Sequence, residues 1–189
     1  MSTAAGDDAM RQEPASVAGS AGGQGKAARD VAIFAAGCFW GVQYYFDQVP
    51  GVVETEVGYI GGHTDNPTYE QVCSHTTGHA EAVKITFDAH EVSYETLLKQ
   101  FFRMHDPTQL NRQGPDVGDQ YRSAVFYLND DQKATAEEMI KKLNKSSNFN
   151  KPVVTTIEKA GTFWRAEEYH QKYTEKTGLG MCHVDYAPV

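Results

Sequence analysis

Three cysteines carry the reactive chemistry of this sequence, and they lie far apart at positions 38, 73 and 182. Cys38 follows an apolar run, Val31–Ala36, and precedes Val42–Val49, so we predict that it lies on a turn between a strand and a helix. The first N–H groups of a helix lack partners within the helix, and their dipoles stabilise an anion. We therefore expect a lowered pKa for the Cys38 thiol and a thiolate nucleophile, the alternative being an inert buried thiol.

Two aromatic residues, Phe39 and Trp40, follow this cysteine directly. They could form an apolar wall beside the thiolate. They could equally pack into the core, as aromatic residues near the start of a helix usually do. The residues alone leave both interpretations open.

A carboxyl group is predicted on the apolar face of a later strand. Val83, Ile85 and Phe87 share one face of that strand, and Glu81 has the same parity. Burial raises the pKa of a carboxyl group, and an acid that is still protonated near neutral pH can donate a proton. The alternative is that Glu81 lies at a frayed strand end and meets water.

The other two cysteines admit several roles. Cys182 lies in the Gly-rich stretch 177–183, where it could attack an oxidised partner thiol or be an incidental surface thiol. Cys73 could join His75 and His79 in a metal site, but their spacing does not match common zinc patterns and no fourth ligand is evident nearby. We therefore expect no metal and interpret Cys73 as a small buried residue.

The elements that must position these residues follow the order of a split βαβ unit. From Val31 to Leu128 the predicted order is strand, helix, strand, strand, helix, strand. This order predicts an α+β fold with a two-layer, ferredoxin-like core, in which helices cover one face of a mixed sheet. A helix over 130–144, a strand over 153–157 and a C-terminal helix over 165–174 are predicted additions, followed by an irregular tail.

Length and composition limit the class of protein. The 189 residues suit one catalytic domain, which we assign to 30–176, after a disordered tail at 1–29 and before a flexible tail at 177–189. A formal net charge of −8 argues against nucleic-acid binding, and no apolar stretch is long enough to span a membrane. Three scattered cysteines suit a reducing compartment, so we expect a cytoplasmic monomer, although basic residues in the first 29 leave organellar targeting open.

The stretch Gly37–Gly41 resembles the active-site signature of the A-type peptide methionine sulfoxide reductases. Five further stretches resemble segments of that family in the family's order, and they lie at 58–62, 67–73, 77–83, 105–108 and 120–123. The resemblance extends from Val31 to Tyr173 and includes a ferredoxin-like fold. Several separated motifs in the same order identify a family far more specifically than any single motif does.

The resemblance implies roles for the matching residues. Cys38 would attack the sulfur of methionine-(S)-sulfoxide and become a sulfenic acid as methionine leaves. Glu81 would protonate the sulfoxide oxygen, which makes the sulfur more electrophilic. That oxygen would be surrounded by Tyr69, Tyr121 and Asp116, the last of them acting through water.

The resemblance also implies a substrate pocket, a partner and a way to reset the enzyme. Phe39 and Trp40 would hold the methyl group of the substrate, and oxidised proteins, peptides and free methionine sulfoxide would be reduced. Cys182 would resolve the sulfenic acid, and thioredoxin would reduce the resulting disulfide without any bound cofactor. Gln43 stands where the family usually has Glu, but since the proton donor is elsewhere we expect activity to survive.

Two other functions remain open from the residue types alone. A cysteine hydrolase could use Cys38 with a histidine base such as His79 and an aspartate. Such a hydrolase, however, has no use for a resolving cysteine. A non-catalytic redox-sensing or zinc-binding module is the third possibility.

Overall fold

The computed structural model describes residues 28–185 and 188, and a six-stranded mixed sheet forms its centre. The first half of the chain forms β1 (Arg29–Ala36), α1 (Phe39–Asp47), β2 (Val52–Ile60), α2 (Tyr69–Cys73), β3 (Ala80–Asp88) and α3 (Tyr94–Met104). The second half forms β4 (Arg112–Gln113), β5 (Asp116–Val117), β6 (Ser123–Tyr127), α4 (Asp130–Lys145), β7 (Thr156–Lys159), β8 (Trp164–Arg165) and α5 (Tyr173–Thr177). Two 3₁₀ turns lie at Asp119–Tyr121 and Glu168–His170.

The sheet has the strand order β7-β6-β1-β3-β2-β8, in which β6 and β7 are parallel and the other neighbours are antiparallel. The four strands β6-β1-β3-β2, with α1 and α3 as their connections, form the predicted split βαβ core. The prediction of an α+β, ferredoxin-like fold is therefore confirmed. Among the described residues, no helix has the length and apolar character needed to cross a membrane.

The main core lies between the sheet and the helices, as the strand parity predicts. Val83, Ile85 and Phe87 of β3 are buried there against aromatic residues of β1, α1 and α3, among them Phe34 and Phe101. The helix α3 begins as expected, because the Ser93 hydroxyl accepts a hydrogen bond from the Thr96 N–H at 3.1 Å. The helix-covered face of β3 also carries Glu81.

A smaller apolar cluster covers the opposite face of the sheet. It contains small residues such as Ala35 and Ala82 together with Ile60 and Phe126. The half-buried Phe163 packs against it from the connection between β7 and β8. This face is thus closed by irregular chain, and the helices lie on the other side, as predicted.

Two element boundaries differ from the sequence-based prediction. β1 begins at Arg29, inside the segment assigned to the tail, because Arg29 pairs with Asp88 of β3. The predicted strand 153–157 lies instead at Thr156–Lys159, since the Val154 N–H donates to the carbonyl of Pro107. Residues 1–27, 186, 187 and 189 lie outside the described residues, so the disorder expected for the first tail stays a prediction.

The predicted helix over 165–174 is wrong. Trp164 and Arg165 pair with β2, and a 3₁₀ turn and the short α5 follow. The Gln171 side chain accepts from the N–H of Val57 and donates to its carbonyl oxygen, both at 3.0 Å. These tertiary hydrogen bonds hold the segment against the sheet edge and replace those that a helix would form.

Candidate active site

Cys38 occupies the residue that precedes α1, at the point where the chain turns from β1 into the helix. The turn depends on Gly37, which has a φ of +92°, a conformation that residues with side chains rarely adopt. The Cys38 side chain is buried. The N–H of the next residue, Phe39, donates to Oε2 of Glu81 at 3.1 Å, so the first turn of α1 places the thiol beside this carboxyl group.

Glu81 is buried on the helix-covered face of β3, and the prediction from strand parity is confirmed. The alternative of an exposed strand end is wrong, because Glu81 pairs with Tyr59 inside the sheet. Burial raises the pKa of the Glu81 carboxyl group to about 8, an effect that its hydrogen bond from Phe39 opposes and that nearby Asp116 reinforces. Glu81 is therefore an uncharged acid near neutral pH and can donate a proton.

The expected lowering of the Cys38 pKa is contradicted by the structure. A hydrogen bond with Cys182, burial and the nearby Glu81 carboxyl group all raise the pKa of the Cys38 thiol. The N–H of Trp40 lowers it, as the helix start predicts, but this effect is smaller than the others. The same contact lowers the pKa of Cys182, so within this pair the buried Cys38 sulfur holds its proton more tightly than the exposed Cys182 sulfur does.

Cys182 reaches Cys38 from a tight turn, Met181–Val184, that packs against the start of α1. The N–H of Val184 donates to the Met181 carbonyl at 2.9 Å, and Cys182 itself has a φ of +50°. Val184 is buried in the main core, and the imidazole of His183 lies beside Gly37. Sequence analysis expects a flexible tail here. Its mobility stays a prediction, whereas the packing around this turn is a finding.

Gly41 is the point at which α1 touches this turn, and it offers a test of the contact. A Cβ atom at Gly41 would lie 2.6 Å from the Met181 carbonyl oxygen, which is too close for either backbone to remain in place. Alanine favours the helix itself by about 1 kcal/mol. Gly41→Ala should therefore keep α1 and displace the turn that carries Cys182.

We expect Gly41→Ala to slow disulfide formation between Cys38 and Cys182 by about tenfold or more, since misplacing a reacting group by an ångström has effects of this size. Quenched-flow mass spectrometry after a single oxidation measures that rate. Gly161→Ala is the matched control, because no atom in the described part of the chain lies within 4 Å of a Cβ placed there. Unchanged disulfide formation in Gly41→Ala would contradict the assigned contact.

The predicted oxygen-binding residues lie near Glu81, whose electrostatic influence reaches all of them. Tyr69 begins α2, and Tyr121 ends the 3₁₀ turn that follows β5. Burial and the nearby Glu81 raise the pKa of both phenols, so each remains a hydrogen-bond donor at neutral pH. Asp116 lies in the short β4–β5 hairpin, and its carboxylate is within hydrogen-bonding reach of Cys182. Sequence analysis does not anticipate that last contact.

The rings of Phe39 and Trp40, the two residues that follow Cys38, are held in place by neighbouring aromatic side chains. Phe39 is buried with its ring centroid 5.8 Å from that of Tyr59. The half-buried Trp40 stacks on Tyr173 at 4.0 Å between ring centroids. Its indole N–H donates to Nδ1 of His170 at 2.9 Å. Phe39 therefore belongs to the core and Trp40 packs against that core, whereas the role of Trp40 as an apolar wall beside the thiol stays a prediction.

Two residues of the site, His170 and Glu167, are missed by sequence analysis. His170 is fully buried, and its Nε2 lies 3.3 Å from Oε2 of Glu167. The same carboxylate accepts from the Tyr59 hydroxyl at 3.0 Å and from the Tyr69 N–H at 2.9 Å. The Glu167 carboxylate thus links His170, the partner of Trp40, to Tyr59 and Tyr69. The only sequence signal is their position in a stretch wrongly predicted as helix.

The structure separates the proposed metal ligands. Both ring nitrogens of His79 are occupied, because Nδ1 accepts from the Gly62 N–H at 3.0 Å and Nε2 lies 2.7 Å from the Thr64 carbonyl. His75 lies beside Asp119, and Cys73 contacts the hydroxyl of Tyr69. Within 28–185 and 188, no group of three or more His, Cys, Asp or Glu could hold a metal ion. His79 is also unavailable as a base for Cys38.

Comparisons with known proteins agree with this geometry. The family model of peptide methionine sulfoxide reductase matches residues 30–189. A peptide methionine sulfoxide reductase from Methanothermobacter thermautotrophicus is 56% identical over 153 residues, which cover 81% of this chain and 90% of the relative.

Solved structures give the same result. The reduced form of Mxr1 from Saccharomyces cerevisiae has a TM-score of 0.72 and 35% identity, covering 85% of this chain and 89% of that one. Mxr1 in complex with Trx2 matches with a TM-score of 0.52 and 26% identity, covering 77% of this chain and 84% of that one.

Proposed function

This chain belongs to the peptide methionine sulfoxide reductase family, and from that premise we propose how its own residues perform the reaction. The protein is an oxidoreductase that reduces methionine sulfoxide to methionine. We assign the nucleophile to Cys38, the proton donor to Glu81 and the resolving thiol to Cys182. The observation that carries this assignment is the hydrogen bond from the Phe39 N–H, which holds the buried, protonated Glu81 at the start of α1, next to Cys38.

Reduction begins when the turn that carries Cys182 moves off Cys38 and the sulfoxide takes its place. Glu81 protonates the sulfoxide oxygen, Cys38 gives an electron pair to the sulfoxide sulfur, and the thiol proton of Cys38 passes to Glu81, which is thereby protonated again. Tyr69 and Tyr121 donate hydrogen bonds to that oxygen as charge develops on it. The hydroxyl group passes to the Cys38 sulfur, methionine leaves, and Cys38 is a sulfenic acid.

A chiral preference follows from placing different groups on the two sides of the thiol. Trp40 offers an apolar surface to the substrate's methyl group, and the phenols and Glu81 offer donors to its oxygen. Exchanging these two substituents would put the oxygen against the indole and leave the buried donors unpaired, at a cost of about 1–3 kcal/mol for each. We propose that the S epimer is the one accepted.

Recycling requires an external reductant after Cys182 has attacked the sulfenic acid. We propose a thioredoxin, because Mxr1 has been solved in complex with Trx2 and because Cys182 is the exposed partner of the pair. Repair of oxidised proteins is the proposed role. We also propose a cytoplasmic, monomeric enzyme, a proposal that rests on the scattered free thiols and the acidic composition.

The test is reduction of separated sulfoxide epimers by the full-length protein with dithiothreitol as reductant. We expect methionine from the S epimer and at least about a hundredfold less from the R epimer. Reduction of neither epimer would contradict the assignment of these residues, and reduction of the R form alone would contradict the geometry. A dithiothreitol blank without protein is the control.

A further inference from the structure

The β4–β5 hairpin brings a second carboxyl group to the two cysteines. Asp116 pairs with Gln113 across the hairpin, and the Gln113 side chain packs beside Gly37 and His183. The hairpin therefore lies along the turn that carries Cys182. Its Asp116 side chain is within hydrogen-bonding reach of the Cys182 thiol. The Asp116 Oδ2 atom is buried without a hydrogen-bond partner among the described residues.

We propose that Asp116 is the base of the resolving step and takes the proton from Cys182 as this thiol attacks the Cys38 sulfenic acid. The inference rests on the proposed function and adds a catalytic role in its second half. The sulfur–oxygen bond at Cys38 breaks while the sulfur–sulfur bond forms. The Cys182 proton passes to Asp116, Glu81 donates a proton to the departing hydroxyl group, and the products are a disulfide and water.

A base is needed because oxidation of Cys38 removes the group that makes Cys182 acidic. In the reduced protein, the hydrogen bond with Cys38 is the main cause that lowers the pKa of Cys182. Once Cys38 is a sulfenic acid, that shared thiol proton no longer exists. The remaining influences, burial and the negative charge and hydrogen bond of Asp116, all raise the pKa of Cys182. The attacking thiol is then protonated at neutral pH.

Among the groups around Cys182, Asp116 is the acceptor within hydrogen-bonding reach of its thiol, whereas the imidazole of His183 lies beside Gly37 and burial lowers its pKa to about 4. Cys38 approaches from the start of α1 and Glu81 from β3, and Tyr121 faces the same cluster from the 3₁₀ turn. Tyr121 and Glu81 both hold protons near neutral pH, so neither can accept another. Asp116 is ionised more readily than either of them, and its carboxylate is within hydrogen-bonding reach of the Cys182 sulfur.

The test follows the sulfenic acid and the disulfide separately in the full-length protein. The reduced enzyme is mixed with excess methionine-(S)-sulfoxide without reductant and quenched at intervals, and mass spectrometry distinguishes the added oxygen from the loss of two hydrogens. The experiment is repeated from roughly pH 5 to 9, a range that contains the ordinary titration of thiols. Methionine release in the same samples reports the first half of the reaction.

For Asp116→Asn we expect disulfide formation to slow by about tenfold to a hundredfold at neutral pH, so that the sulfenic acid accumulates. The rate should then rise about tenfold per pH unit, because the variant depends on the fraction of Cys182 ionised by water. In the unchanged protein the rate of disulfide formation should vary little with pH above the pKa of Asp116. Asp116→Glu keeps a carboxylate and should restore the flatter profile.

Asp119→Asn is the matched control, since it removes a nearby carboxylate whose partner is His75. If Asp116→Asn also slows methionine release, hydrogen peroxide forms the sulfenic acid instead and the resolving step is still measured. An Asp116→Asn profile equal to that of the unchanged protein would overturn the proposal. Failure of the unchanged protein to release methionine would instead contradict the proposed function.

Discussion

A Glu81→Gln variant is expected to release methionine at least about a hundredfold more slowly than the unchanged protein in a single turnover. The amide has nearly the same shape and can still accept the hydrogen bond from the Phe39 N–H. It cannot give a proton to the sulfoxide oxygen, so the sulfur remains a poor electrophile. The measurement is methionine released per enzyme, without reductant, after mixing with the S epimer.

The pH dependence of the same step distinguishes loss of an acid from loss of structure. The pKa of Glu81 is raised to about 8, so its protonated fraction falls as pH rises through that value. Methionine release by the unchanged protein should fall by about tenfold per pH unit above this pKa. The Gln variant should lack that alkaline limb.

Glu56→Gln is the control for removing a carboxylate from the same sheet. Glu56 lies on β2 and forms an ion pair with Arg165 at 3.1 Å, away from the thiols. Methionine release by the Glu56→Gln variant should keep the rate and the pH profile of the unchanged protein. Full activity in Glu81→Gln would remove Glu81 from the mechanism.

Cys182→Ser is expected to complete one reduction and then stop cycling with thioredoxin. The serine hydroxyl cannot form a disulfide with Cys38, so the sulfenic acid persists and thioredoxin has no disulfide to reduce. Steady-state turnover should fall by roughly two orders of magnitude or more, because an intramolecular attack from a positioned thiol is lost. Single-turnover methionine release and thioredoxin-coupled turnover are measured on the same preparation.

Cys73→Ser is the matched control for this loss. The Cys73 side chain contacts the hydroxyl of Tyr69, and Cys182 is the thiol that contacts Cys38. Cys73→Ser should therefore retain thioredoxin-coupled cycling. Cycling by Cys182→Ser together with its loss in Cys73→Ser would reverse the assignment of the resolving residue.

Features that depend on local periodicity were predictable from the sequence. The parity of Glu81 with Val83, Ile85 and Phe87 places its carboxyl group in the core, and that position alone accounts for most of its raised pKa. The start of α1 after Cys38 and the capped helix after Ser93 are likewise set by neighbouring residues. The fold class follows from the order of such elements.

Features that depend on distant segments were not predictable in this way. The pKa of Cys38 is dominated by Cys182, and the indole of Trp40 is held by His170. Both partners belong to the C-terminal part of the chain, where hydrogen bonds to the sheet override local helix preference. No sequence pattern in the segment around Cys38 or in the C-terminal part of the chain predicts that these segments lie in contact.

Gln43, the departure from the family pattern, also needs the structure to explain it. Its amide group donates to the carbonyl and hydroxyl oxygens of Thr55, at 3.2 and 3.1 Å, and accepts from the Lys172 N–H at 2.8 Å. A carboxylate has no N–H group, so a Glu at this position could make neither of these donations. The residue type is thus matched to a buried junction between α1, β2 and the segment that leads to α5.

The turn that carries Cys182 affects the affinity for substrate and the formation of the disulfide in opposite directions. While it covers Cys38 the sulfoxide cannot enter, so the apparent affinity for substrate is reduced in proportion to the fraction of molecules in which the site is open. Each additional 1.4 kcal/mol, approximately, in favour of closure lowers that affinity tenfold and lengthens the time that Cys182 spends beside the sulfenic acid. Substitutions in Met181–Val184 should therefore trade substrate affinity against protection of Cys38 from irreversible oxidation.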